Sequence, residues 1–230
     1  FKDLSGVGLA YKLAQALLAR PPATSQPAPD LHESLLDLVA VGTVADLAPL
    51  LGENRSLVRR GLDILNKVGR PGMAALVADA GLRRGEVNST AIGFRLGPRL
   101  NAAGRLEHAM LAYDLLTKTD GLETKSLAER LGELNRQRQQ LTDQTVAAAE
   151  AQVLAGDPQA RFYLAASPDF KPGIVGLAAS RLTEAYYRPS VVVELGAEES
   201  RGSCRSIPEF DITGALDECR ELLIRHGGHR

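Results

Sequence analysis

The chain has little of what marks a disulfide scaffold, a membrane protein or a general nucleic-acid binder. Its 230 residues include two cysteines, Cys204 and Cys219. Two thiols build neither a disulfide framework nor a structural zinc site, which suits a reducing cytoplasm. No charge-free apolar span of about 18 residues occurs, and no signal-peptide pattern, so no membrane association is expected. The net charge is −1, so no global basic field announces nucleic acid. Residues 1–121 carry 14 Lys and Arg against 12 Asp and Glu, and the remainder 13 against 16. Any anion site must therefore be local, built from a few placed arginines. What is present is globular composition, 44% hydrophobic and 24% charged, enough for one large domain or two modest ones. The sequence opens on Phe1 and stops at His229-Arg230, which reads as a piece of a longer protein.

Residues 123–155 lack proline and have Gly132 as their one internal glycine. Apolar positions recur at Leu127, Leu131, Leu134, Leu141, Thr145 and Ala148, a helical stripe on which Arg138 also falls. At ~1.5 Å per residue such a helix spans roughly 50 Å. It reads either as a coiled-coil or bundle helix or as a connector between two domains. The flanks favour the connector, because the chain before it reads all-helical and the chain after it alternates strands with helices.

The periodicity predicts a helix over 7–18, a proline-rich surface loop over 21–29, and a new helix capped by Asp30 with Glu33 three residues on. The run from Leu35 to Leu51 is almost wholly apolar and should be buried, yet it contains Asp46. A buried carboxylate needs a partner. Two readings stand open: an aspartate bonding backbone amides near Pro49, or a metal ligand. Asn54 is expected to cap the next helix, Pro71 to start another, and Ser89 to cap a short segment. That segment leads to Gly97-Pro98-Arg99-Leu100-Asn101-Ala102-Ala103-Gly104-Arg105, either an ordinary loop with solvated arginines or a turn whose amides and arginine forks meet phosphate. A short helix over 109–116 follows.

Beyond residue 155 strands are expected over 161–166, 190–195 and 201–207, with an apolar helix from Ile174 to about Tyr186. A last helix, capped by Asp211, is expected to run to about Arg225 and end at Gly227-Gly228. Gly202-Ser203-Cys204-Arg205-Ser206 offers two hydroxyls and a guanidinium, and Gly227-Gly228-His229 offers amides and an imidazole. Each alone reads equally as a polar edge strand or a helix end; together, in a small α/β domain, they point to an anion pocket.

Several of these stretches resemble one family in order and spacing. They are Asp37-Leu-Val-Ala-Val-Gly-Thr-Val-Ala-Asp46-Leu-Ala-Pro-Leu, then Asn54-Arg55, Pro98-Arg-Leu-Asn-Ala-Ala-Gly-Arg105, Gly173-Ile-Val-Gly-Leu-Ala-Ala-Ser-Arg181, Gly202-Ser-Cys-Arg-Ser-Ile-Pro208 and Gly227-Gly-His229. Over essentially its whole length the chain resembles the RecJ single-stranded-DNA-specific exonucleases of the DHH/DHHA1 phosphoesterase superfamily. The resemblance implies an α/β protein: the mainly helical C-terminal part of a DHH domain over 1–121, a connector helix over 122–155, and a truncated small α/β DHHA1 domain over 156–230. It also implies processive 5′-to-3′ hydrolysis of single-stranded DNA in repair and recombination, with Mn²⁺ or Mg²⁺.

The resemblance further implies roles by position. Asp46 would be a metal ligand, which would supply the partner its burial demands. Arg99, Asn101 and Arg105 would face the catalytic cleft or the DNA phosphates. Ser203, Arg205, Ser206, Gly227, Gly228 and His229 would hold the substrate backbone and terminal phosphate. Lys171 stands where the family often has His, and Lys does not shuttle protons near neutral pH. Single-stranded DNA is the implied partner, with a helicase or a single-strand-binding protein beside it.

No Asp-His-His and no Asp-x-Asp occurs in the sequence. The remaining ligands of a two-metal site would lie upstream, and this piece alone is expected not to hydrolyse DNA. Two alternatives follow: a catalytically inactive RecJ-like binding or scaffold module, or a relative acting on short oligonucleotides or cyclic dinucleotides.

Overall fold

The computed structural model describes residues 1–19, 31–67, 69–157 and 159–228. The expected proline loop, the Asp30 cap and His229 fall outside these residues. The chain divides into two compact units, residues 1–135 and 136–230.

The first unit is helical. Helix α1 (Gly6–Leu18) is capped by Ser5, whose Oγ accepts from the Gly8 amide and lies 2.8 Å from Thr43 Oγ1. A 3₁₀ turn (Glu33–Leu35) leads into α2 (Leu36–Ala45), buried on nearly every side, as an all-round apolar helix must be. Helices α3 (Gly52–Lys67) and α4 (Pro71–Asp79) follow, the latter with Pro71 at its permitted first position.

Asn54 is not a cap. It sits inside α3, buried, and its Nδ2 donates to the carbonyls of Asp3 and Pro49. Nor does Ser89 cap the next segment; Asn88 does, accepting from the Ala91 amide at 2.9 Å. From there α5 (Ser89–Ala91) widens into a π-helical stretch (Ile92–Leu96) and continues as α6 (Gly97–Leu106). The expected turn over 97–105 is therefore helix, and its amides are used inside the helix. Helix α7 (Met110–Thr117) closes the unit's sequence before α8. Leu65, Met73, Leu76, Ile92, Leu96, Leu115, Leu131 and Leu134 form much of the core.

Helix α8 (Gly121–Ala155) is started by Asp120, whose Oδ1 accepts from the amides of Leu122 and Glu123. Its buried positions include Ala128, Leu131, Leu134, Thr142, Thr145, Ala149 and Val153. Ala148, expected on the stripe, is exposed, and its neighbour Ala149 is buried instead. The first unit takes α8 up to Asn135 and the second takes the rest. Gly132 has a steric reason: a Cβ there would stand 2.4 Å from Asp79 Oδ2.

The second unit is a small α/β fold. Strand β1 (Tyr163–Ser167) pairs in parallel with β2 (Ser190–Glu194), which pairs antiparallel with β3 (Arg201–Arg205). Helix α9 (Pro172–Tyr186) connects β1 to β2, as a parallel pair requires. Ala149, Val153, Tyr163, Ala165, Ala178, Leu182 and Val192 form its core. Asp211 caps α10 (Ile212–Glu218), accepting from the Gly214 amide at 3.0 Å. This helix is shorter than expected: it ends at Glu218, a 3₁₀ turn covers Arg220–Leu222, and Gly227 and Gly228 lie in irregular backbone rather than at a helix end.

Candidate functional site

Two aspartates bracket α2, and Asp46, the one expected to be buried, is not. Asp37 is the buried one, with 1% of its surface exposed. Its carboxylate accepts from Arg70 Nε at 2.8 Å and from the Leu38 amide at 2.8 Å. Asp46 is exposed at the C-terminal end of α2, and its carboxylate has no hydrogen-bond partner among the described residues. The apolar run thus reaches solvent at Asp46, sooner than its composition implied. The backbone explains how. Leu47 adopts the left-handed conformation, φ 57°, with its amide on the Val44 carbonyl, and the Ala48 amide reaches back to Thr43. This is a Schellman-type helix end with leucine where glycine is usual, at a cost of about 1 kcal/mol. It leaves Leu47 88% exposed. Asn54, bonded to the Pro49 carbonyl, fixes the loop just beyond.

The carboxylate of Asp46 and the negative end of the α2 dipole act in the same sense, so the spot attracts a cation. One oxygen donor is not a metal site, however. Among the described residues no group of three or more His, Cys, Asp or Glu side chains converges. Asp46 fits a divalent ion as one ligand, and the described residues do not complete the set.

Arg99 is mostly buried and engaged. Its Nε donates to Asp79 Oδ2 at 3.0 Å and its Nη1 to the Arg95 carbonyl at 2.9 Å, while Arg95 in turn bonds the Ala80 carbonyl. The Asp79 carboxylate packs into the notch left by Gly132 of α8. Arg99 therefore ties α6 to α4 under the long helix. Asn101 and Arg105, four residues apart, share the exposed face of α6, away from Arg99.

In the second unit Arg205 ends β3 and is exposed. Its Nε donates to Ser180 Oγ at 2.9 Å, and its Nη1 donates to Ser203 Oγ at 3.1 Å and to the Cys204 carbonyl at 2.7 Å. All three acceptors are neutral, so no carboxylate among them compensates the guanidinium. Residues 203 and 205 face α9, where Gly176 leaves room for them: a Cβ at 176 would stand 3.1 Å from Ser203 Oγ and 3.4 Å from Arg205 Nη2. Burial pushes the Cys204 thiol up, more than the neighbouring Arg205 charge lowers it, so no thiolate stands beside the arginine at neutral pH.

The other expected members are placed elsewhere. Ser206 donates its hydroxyl to the Phe210 carbonyl at 2.7 Å and closes a turn. Lys171 is exposed, immediately before α9. Gly227 and Gly228 are exposed, and no hydrogen bond joins them to Arg205 among the described residues. The histidine that makes a contact in this region is His226, 2.7 Å from Asp217 Oδ1. The structure thus brings Ser203 and Arg205 together and adds Ser180 and Gly176, which sequence reasoning passed over. Both lie in the Gly173–Arg181 stretch that carries the family resemblance, as a glycine and a hydroxyl four residues apart.

A scan against models of protein families finds no match. Individual proteins do match. The chain is 41% identical over 235 residues to the single-stranded-DNA-specific exonuclease RecJ of Bacillus subtilis, covering 100% of this chain and 28% of that protein. The structure superimposes on RecJ from Thermus thermophilus in complex with Mg²⁺ with a TM-score of 0.83, at 34% identity, over 100% of this chain and 35% of that one. Over its full length this chain is similar to the RecJ exonucleases. A further structure, exonuclease RecJ bound to manganese, matches with a TM-score of 0.82 at 35% identity, over 100% of this chain and 56% of that one. The chain spans between 28% and 42% of the length of the curated RecJ relatives it matches. The RecJ resemblance of the sequence motifs and the mainly helical and small α/β arrangement are thereby borne out. No helix among the described residues is long and apolar enough to cross a membrane.

Proposed function

We propose that this chain is part of a cytoplasmic, metal-dependent exonuclease that hydrolyses single-stranded DNA from the 5′ end in repair and recombination. The observation that carries the reading is the state of two charged groups. Asp46 stands exposed and without a partner at a helix C-terminus, and Arg205 is braced by neutral acceptors only. Neither charge is compensated, so each favours a ligand of opposite sign. The RecJ relatives seen with Mg²⁺ or Mn²⁺ support a divalent cation for the first, and the single-stranded-DNA specificity in the name of the Bacillus subtilis relative supports a DNA phosphate for the second.

In this reading Asp46 contributes one hard oxygen ligand, and protein outside this chain contributes the others. Divalent ions bound there supply Lewis-acid activation of water and charge neutralisation. What the chain's own residues do is hold the strand. Arg205 donates to a phosphate oxygen, Ser203 adds a hydroxyl, and Lys171 adds charge. Asn101 and Arg105 offer a second contact line on α6. In this reading Arg99 ties helices together rather than contacting DNA, since its guanidinium is paired with Asp79. A helicase or a single-strand-binding protein is the proposed partner for supplying single strands. Because no group of three or more ligating side chains converges among the described residues, this chain alone is expected not to cleave DNA.

The experiment follows nucleotide release from end-labelled single-stranded DNA with Mn²⁺, using full-length protein and its Asp46→Ala variant. Loss of release in a variant that still folds and binds DNA supports the assignment. Full activity in the variant would make Asp46 a helix-end residue and nothing more. A wild type that binds strands without cleaving them would favour a scaffold.

A further inference from the structure

Arg205 has five N–H groups, and the structure engages three of them. Nε meets Ser180, and both protons of Nη1 meet Ser203 and the Cys204 carbonyl. The two N–H groups of Nη2 remain. Ser180 has a single proton, and it goes to the Gly176 carbonyl, one turn back in α9, at 3.1 Å. Its Oγ is therefore a fixed acceptor for Nε rather than a rotor that could also donate. Ser203 differs: it accepts from Nη1 and keeps its own O–H for another group. Nη2 and Ser203 Oγ converge over Gly176, each within 3.4 Å of the point a side chain would occupy. Gly176 thus lets both groups pack against α9, and the two Nη2 protons and the Ser203 hydroxyl lie side by side as three donors.

We infer that Ser180 is the positioning residue of an oxyanion cradle whose floor is Gly176. Ser180 turns the guanidinium so that Nη2, not the Nε edge, faces the ligand. The missing side chain at 176 lets Nη2 and the Ser203 hydroxyl lie together against α9, so that one phosphate oxygen can meet both. The contact is end-on, through one nitrogen and one hydroxyl, and not the side-on fork that a free arginine offers a phosphate. This rests on the reading that Arg205 binds a substrate phosphate. Lysine at 205 restores the charge but not the brace, since it has no Nε–H for Ser180 and no planar fork.

The test is a double-mutant cycle on full-length protein, measuring the affinity for fluorescent oligothymidylate in EDTA, where no cleavage competes. Arg205→Ala is expected to weaken binding about tenfold or more, and Ser180→Ala about fivefold. The double variant should bind no worse than Arg205→Ala alone, because Ser180 acts only through Arg205. Ser180→Thr, which keeps the hydroxyl, should restore binding. Gly176→Ala should also weaken binding, because its Cβ, 3.1 Å from Ser203 Oγ and 3.4 Å from Arg205 Nη2, would push both donors off α9. Independent, multiplying losses for Ser180→Ala and Arg205→Ala overturn the positioning role. If Arg205→Ala weakens binding while Ser180→Ala and Gly176→Ala do not, the phosphate pocket stands and the cradle does not. If Arg205→Ala leaves affinity unchanged, the pocket itself fails and the cradle with it.

Discussion

Arg99 in the helical unit and Arg205 in the α/β unit each make well-formed hydrogen bonds, and sequence reasoning treated them alike. The difference is the charge of the acceptor. Arg99 faces the carboxylate of Asp79, with only 16% of its side chain exposed, and the pair is neutral. Arg205 faces two hydroxyls and a carbonyl, which fix its position without compensating its charge. The first arrangement joins helices, and the second displays a cation. The same contrast separates the aspartates at the ends of α2. Asp37 is paired with Arg70 and buried, whereas Asp46 is exposed and unpaired. A charged group held by neutral partners, or by none, is a better pointer to function than a charged group that is merely well bonded.

Exchanging roles across these pairs gives the largest effects. Asp46→Ala should reduce nuclease activity of the full-length protein by more than about 100-fold, since even residues behind a metal ligand can cost that much. Its thermal midpoint should stay near wild type, because the side chain supports nothing. Asp37→Ala should do the reverse, losing about 3 kcal/mol through an uncompensated Arg70 and an unfilled space. Denaturant unfolding of both variants, read beside their activity, decides whether the two aspartates are distinct in kind. Equal stability losses would erase the contrast.

Arg99→Met comes next. It leaves the Asp79 carboxylate without its cation and should cost about 2 kcal/mol of stability, with single-strand affinity unchanged. A loss of affinity without a loss of stability would return Arg99 to the DNA-contacting set. The smaller companion is Gly132→Ala, whose Cβ would collide with Asp79 Oδ2. It should destabilise by about 1 kcal/mol net, the overpacking outweighing the gain in helix propensity. Gly176→Ala, in the other unit, should cost less, because its Cβ would meet Ser203 Oγ at 3.1 Å rather than a carboxylate oxygen at 2.4 Å.

Much of this was legible in the sequence because it depends on local periodicity. The long helix, the strands near 163, 190 and 201, and Pro71 at a helix start all follow from spacing and propensity. What was not legible depends on partners distant in the chain. Asp46 reads as buried because every residue from Leu38 to Ala45 is uncharged, and only the left-handed turn at Leu47 brings it to the surface. A leucine there carries no turn signal. The segment 97–105 reads as a loop from its glycines and proline, but packing overrides propensity, with Ala102 and Ala103 fully buried. Asn54 looks like a cap because nothing local reveals its bonds to Asp3 and Pro49. Ser180 is invisible until β3 is laid beside α9.

The smallest expected effect tests the register on which the Arg205 cluster depends. In β3, residues 203 and 205 face α9, and Cys204 alternates to the opposite side, paired with Val191. Burial holds its thiol above the usual range, with Arg205 pulling only weakly the other way. A raised thiol carries less thiolate at any given pH, so alkylation of Cys204 at pH 8 should be slower than that of exposed Cys219 by about tenfold. Its rate should also keep climbing with pH where an unperturbed thiol levels off. A strand slipped by one residue would turn Cys204 toward α9 and Arg205 away, because successive side chains point to opposite faces. Rapid, pH-independent alkylation of Cys204 near neutrality would mean a thiol activated on the arginine's own face. Ser203 and Arg205 would then no longer converge over Gly176, and the cradle would lose its geometry.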